Sequence, residues 1–235
     1  MLISSVQILR RSYDQLIRNY KLFLRPIIWM LIPAFLHAIA KSIPGTPEIL
    51  VGLLNIVNWI VGFWTFVMIV DTSWMLHEGK APSKTLIDSV SWGTAGRVFD
   101  CFLVSVLYAI ACLGGGLLLI VPGIACANWF GFAPLAMLIE GAHGTGALKR
   151  SKDLVDGRFW HILWRGIVII ALPLFIFFAF LFALGLVLAI LTSALNLAMP
   201  PRILLNLFSI IVTAPFATYL YIANVIFFAE ARKAR

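Results

Sequence analysis

The residues able to do chemistry are few, and they avoid the middle of every long apolar stretch. Arg25, Asp71, Asp100, Glu140 and Arg165 fall at stretch ends on one side, with His37 and Lys41 near the other. Ionisable groups deep in a bilayer are costly and usually functional, so their absence argues against a proton relay or an ion pump. Glu140 and His143 have the right types for acid–base work or metal binding, but two ligands on one loop are too few for a zinc site. Cys101, Cys112 and Cys126 are three in number and lack metal-like spacing, so they read as small buried residues. No Ser/His/Asp arrangement, paired carboxylate or phosphate-cradling loop is recognisable, so the chain is read as non-catalytic, with no cofactor and no metal. Uncharged polar groups do reach mid-depth. Asn55, Asn58 and Asn128 form a candidate intramembrane cluster, with Asn206, Asn224, Pro33, Pro134, Pro173 and Pro215 at similar depth. Such residues either line a path for a lipid or small solute or hydrogen-bond between helices.

The elements that would position these groups follow from composition. At 62% hydrophobic and 12% charged, the 235-residue chain is far too apolar for a soluble domain. Six segments have spanning length, where about 20 residues are needed: 22–40, 49–70, 100–121, 124–139, 162–192 and 203–228. The fourth is the shortest, and the fifth is long enough to tilt. The expectation is an all-α polytopic membrane protein forming a single domain.

Charge sets the orientation. With the N-terminus inside and the spans alternating, every Lys and Arg except Lys41 and Arg202 falls on the cytoplasmic side, which puts both termini there. The net charge of +8 lies in short bands beside span ends, without the stacking aromatics of a nucleic-acid surface. No nucleic-acid partner is expected. The anionic leaflet is the simplest partner, at about 1 kcal/mol per basic residue near the surface.

Residues 1–21 are amphipathic rather than spanning. Leu2, Val6, Leu9, Tyr13, Leu16 and Tyr20 step along one face; Arg10, Arg11, Asp14, Arg18 and Lys21 fall away from it. Such a helix rests in the headgroup plane, apolar side on the acyl chains. An Arg-rich amphipathic start is also the pattern of a transit peptide. Its recurrence within the chain favours a structural role. Leu9-Arg10-Arg11-Ser12 precedes the first span, Leu148-Lys149-Arg150-Ser151 precedes the fifth, and Leu86-Ile87-Asp88-Ser89 sits less similarly before the third. Each unit would be one surface helix followed by a two-span hairpin, three times over. Arg10, Arg11, Lys149 and Arg150 are the expected lipid-headgroup contacts. In the second surface helix, Ala147, Leu148, Ser151, Leu154 and Val155 form the apolar face, with Thr145 capping the start and Gly157 the end. Between spans three and four, Pro122-Gly123 reads as a tight turn, with Gly123 at positive φ and Gly114, Gly115 and Gly116 allowing close helix approach.

The run Leu118-Leu119-Ile120-Val121-Pro122-Gly123-Ile124, then Glu140, then Ala147-Leu148-Lys149-Arg150-Ser151 with Gly157-Arg158-Phe159-Trp160, resembles one family group. That group comprises the membrane domain attached to some glycerophosphoryl diester phosphodiesterases and related bacterial six-helix membrane proteins. The resemblance is concentrated in residues 113–170 and carries over no catalytic residue, because the chain has no room for the soluble phosphodiesterase domain. It implies a bacterial inner-membrane protein concerned with lipids or with anchoring a membrane-protein partner. Three functions are thereby weighed: a lipid-interacting scaffold or anchor subunit, a transporter or permease subunit for a lipid or small solute, and an intramembrane enzyme. The first is favoured, because interfacial helices are present and buried charge is not.

Overall fold

Inside a bilayer no water satisfies the backbone, so long apolar runs must close their own hydrogen bonds as helices. The computed structural model describes residues 4–43, 45–80, 92–194 and 201–234. It is all-α. Its described helices are α1 (Ser5–Arg18), α2 (Tyr20–Ser42), α3 (Glu48–His77), α4 (Trp92–Leu118), α5 (Ile120–Phe130), α6 (Ala133–Glu140), α7 (Thr145–Val155), α8 (Phe159–Ala194) and α9 (Pro201–Lys233). Six stretches are long and apolar enough to cross a membrane, with α5 and α6 together making the fourth, Ile120–Glu140. The chain is an integral membrane protein.

Consecutive spans pack as the hairpins α2/α3, α4/α5–α6 and α8/α9. The last helix organises the rest: α9 touches α1, α2, α3, α7 and α8, and it buries Ile222, Ala223, Val225, Ile226 and Phe228. Burial concentrates at the end of the bundle where α3, α6 and α9 finish, called here the basic end. At the opposite tips Leu117, Ile120 and Val121 are exposed, as acyl chains allow.

Two units show the expected order of short helix, then hairpin: α1 with α2/α3, and α7 with α8/α9. The short helix expected around residues 86–89 lies outside the described residues. Ser4 and Gln7 start α1 by a reciprocal capping box, each side chain accepting from the other's backbone N–H at 3.3 and 3.2 Å. Only part of the expected stripe packs on the protein. Ile8 and Ser12 are fully enclosed, with Leu9 and Leu16 packed against the core beside them, while Val6, Tyr13 and Tyr20 point outward. The reason is tertiary: α1 packs on α9 and α8, which take the Ile8–Ser12 line and leave the rest of its apolar sector exposed. In α7 the expected face holds, with Ala147, Ser151, Leu154 and Val155 buried. Thr145 does not cap that helix; Gly144 occupies the cap position with no side-chain bond. Gly157 does end it, at φ +78°.

The Pro122-Gly123 turn requires correction. The direction changes at Leu119, whose backbone is extended, and both Pro122 and Gly123 lie inside α5. Proline is tolerated in the first helical turn because its missing N–H would have no intrahelical partner there. Gly123 is not among the described glycines at positive φ. It is needed for space, since a Cβ there would lie 3.0 Å from Gly116 Cα, and one on Gly115 would lie 3.0 Å from the Pro122 carbonyl oxygen. A Cβ on Gly114 would meet nothing within 4 Å.

Candidate functional site

At the basic end, each of three even-numbered spans finishes with a carboxylate, and each carboxylate takes a basic partner. Asp71 of α3 receives a two-pronged bond from Arg97 of α4 at 2.9 and 3.0 Å, and Arg97 also donates to the Leu138 carbonyl of α6 at 3.0 Å. Glu140, at the end of α6, accepts from Arg150 of α7 through both oxygens, at 2.5 and 3.1 Å. Arg232 of α9 approaches the same Glu140 at 3.3 Å. Glu230 of α9 accepts from Arg11 of α1 at 3.4 Å, with Lys233 at 3.9 Å. The Glu140 hydrogen bond raises the Arg150 pKa above its ordinary value, against the smaller opposing effect of desolvation.

The two short helices therefore do the same thing with the same residue. Arg11 and Arg150 hold equivalent places in the repeat, and each ties its helix to the acidic end of the span preceding it around the bundle: the sixth span for α1, the fourth for α7. Ser12 and Ser151 are equivalent too, and both are fully buried. Their bonds differ. The Ser12 hydroxyl donates to Ile8 O of its own helix at 2.7 Å. The Ser151 hydroxyl donates to Trp129 O at 2.7 Å and accepts from Phe132 N at 3.0 Å. Those two groups flank the interruption between α5 and α6, so one hydroxyl repairs the break in the fourth span. Further clasps join the elements: Gln15 of α1 donates to Ser73 of α3, and Arg158 donates to the Ala231 carbonyl at 3.0 Å near the end of α9.

The four expected lipid contacts thus divide. Arg11 and Arg150 are engaged in ion pairs within the protein. Arg10 and Lys149 are exposed and have no partner among the described residues. The expected polar cluster is not one cluster. Asn55 is exposed, and Asn58 faces a groove with Ser209 and Thr213 between α2, α3 and α9. Asn128 lies elsewhere, donating to Phe159 O at 3.1 Å and lining a separate cavity with Tyr108 and Asn224. Glu140 and His143 are also parted, since His143 Nδ1 sits 3.4 Å from Asp100 while Arg150 occupies Glu140. Asp71 and Glu140 read in the sequence as stretch ends, and Glu230 is not singled out there. The signal that they are clasps is their recurrence at the close of every second span, each with an arginine available.

A family model described as a domain of unknown function, DUF7847, matches residues 48–231, from the first residue of α3 nearly to the end of α9. No curated protein and no solved structure matches the chain. The matched region holds five spans, the Asp71 clasp, the Glu140–Arg150 pair, α7 and the carboxylate of Glu230, while Arg10 and Arg11 precede it. The chain belongs to the DUF7847 family.

Proposed function

We propose that this protein is a non-catalytic scaffold that gathers anionic lipid at its basic end, in the bacterial inner membrane with both termini cytoplasmic. One observation carries the reading. At the same repeat position in two short helices, one basic residue faces outward beside a neighbour that is tied down: Arg10 beside Arg11, and Lys149 beside Arg150. The inner residue pairs with a carboxylate of another helix, and the outer one is presented to its surroundings. On α1 the presented arginine adjoins exposed Val6, Tyr13 and Ile17, an apolar stripe suited to acyl chains below a phosphate. The resemblance of residues 113–170 to phosphodiesterase-linked membrane domains extends the proposal to anchoring a membrane-protein partner.

The test is thermal stabilisation of the purified protein in detergent by phosphatidylglycerol against phosphatidylcholine. Two exposed charges contribute about 2 kcal/mol toward an anionic surface at low salt, roughly a 30-fold preference. The Arg10→Gln/Lys149→Gln variant is expected to lose that preference while keeping its melting temperature without lipid. A variant that keeps the preference overturns the reading. For orientation, a cysteine placed at Thr46 should react with an impermeant reagent on intact cells, and one placed in the 141–144 loop should not.

A further inference from the structure

The cavity lined by Asn128 and Asn224 has a volume near 480 Å³, within the range of small-molecule pockets, about 300–1,000 Å³. It lies between α4, α5, α8 and α9, beside the break at Gly131 and Phe132. Ile124, Ile167 and Ile170 line it and are themselves exposed, so its mouth opens through an apolar surface toward acyl chains. No charged side chain lines it.

The break needs no ligand, because Ser151 already serves Trp129 O and Phe132 N. The asparagines are different. Asn128 spends an amide N–H on Phe159 O, and Asn224 spends one on Leu220 O of its own helix at 2.9 Å. Neither side-chain carbonyl oxygen accepts a bond from a described residue. Each amide therefore keeps its carbonyl oxygen and a second N–H toward an otherwise apolar cavity that also holds Tyr108, and polar groups left unmatched in apolar surroundings are costly. Asn224 lies six residues before Glu230, about 9 Å below the ionic layer at the helical rise per residue. A phosphate would find no cation there to balance its charge. A hydroxyl on an apolar body would meet acceptors and fit.

We infer that this cavity binds a neutral, hydroxyl-bearing lipid of the diacylglycerol class. The acyl portion lies along α8 at the mouth, and the hydroxyl donates to Asn224 and Asn128. The site is independent of the lipid surface formed by Arg10 and Lys149.

The probe is dioleoylglycerol, compared with its 3-O-methyl ether, which has the same body and no donor, and with dioleoyl phosphatidic acid. Binding to the purified full chain is read by thermal shift titration and by photo-crosslinking with a diazirine-bearing diacylglycerol. The expected result is crosslinking to residues 124–131 and 162–174, and binding at least tenfold tighter for the alcohol than for the ether. Asn224→Leu is the informative variant, because its amide bonds only its own helix; it should bind the alcohol at least tenfold more weakly. Ala171→Trp, at an exposed position on the cavity wall, should block crosslinking without altering the melting temperature. Equal binding of alcohol and ether, an unchanged Asn224→Leu titration, or tighter crosslinking competition by phosphatidic acid would each overturn the inference.

Discussion

α1 and α7 carry one sequence pattern and the same ionic clasp, yet they are built into the bundle to different depths. In α7 the arginine grips Glu140 with both prongs and is about two-thirds covered; in α1 the arginine makes a single long contact to Glu230 and is 56% exposed. The α7 serine joins two backbone groups of a neighbouring span, whereas the α1 serine closes on its own helix. A shared motif therefore fixes where a helix docks, and its second partners fix how much the fold depends on it. α7 supports a broken span and is needed to complete it. α1 covers an unbroken one, and its outward stripe of Val6, Tyr13 and Ile17 is left exposed.

The largest effect expected from breaking that comparison is at Arg150. Losing one side of a buried ion pair costs about 3–5 kcal/mol, and with a third of the Arg150 side chain exposed about 2 kcal/mol is the better figure. Arg150→Ala should lower the melting temperature in detergent by that equivalent, because Glu140 keeps only the longer approach of Arg232. Arg150→Lys should recover only part, as a point charge cannot reproduce the two-pronged contact. A melting temperature unmoved by Arg150→Ala would show that α7 is held without the ionic clasp, by its apolar face and Ser151.

Ser151→Ala comes next. It leaves Phe132 N and Trp129 O without their shared partner, for a loss of about 1–2 kcal/mol on the scale of hydrogen bonds inside membranes. Ser12→Ala removes a bond that merely competes within its own helix and should be neutral within about 0.5 kcal/mol. Equal effects at the two serines would erase the distinction between the helices. Hydrogen exchange at Phe132 is a second reading of the same point, since its amide should lose protection only in the Ser151 variant.

The spans, their number and the two-unit repeat are legible in the sequence because each depends on local quantities: run length, hydropathy and a recurring tetrapeptide. What a residue touches is not local. Leu9, Tyr13 and Leu16 make a convincing helical stripe, but α9 takes the adjoining Ile8–Ser12 line, and only packing decides between them. Asn55, Asn58 and Asn128 all fall inside apolar runs but do not share a direction, because hydropathy carries no information on which neighbour each helix face meets. Pro122-Gly123 has the composition of a turn, and the same two residues suit a first helical turn pressed against a glycine face. Gly123→Ala is therefore expected to cost about 1–2 kcal/mol through overpacking against Gly116, with Gly114→Ala neutral or slightly stabilising. That loss arises at the far tip of the fourth span. It should add to the Ser151→Ala loss if the break at Gly131 separates the two ends mechanically.

A small effect is the one that defines what α1 is for. Arg11→Ala should cost only about 0.5 kcal/mol, since its contact is single, long and more than half exposed, and Lys233 remains near Glu230. Were α1 mainly a structural clasp, that value would match Arg150→Ala. Were it mainly a lipid-facing element, stability would barely move while the angle at which Val6, Tyr13 and Ile17 meet the membrane would loosen. Site-directed spin labels at Val6 and Ile17 separate the cases. On the second reading, Arg11→Ala raises label mobility in nanodiscs without lowering the melting temperature, and the equivalent label at Lys149 in Arg150→Ala reports local unfolding instead. Matching stability losses at the two arginines would mean that α1 and α7 are equivalent braces, and the division of labour drawn from their serines would fall with them.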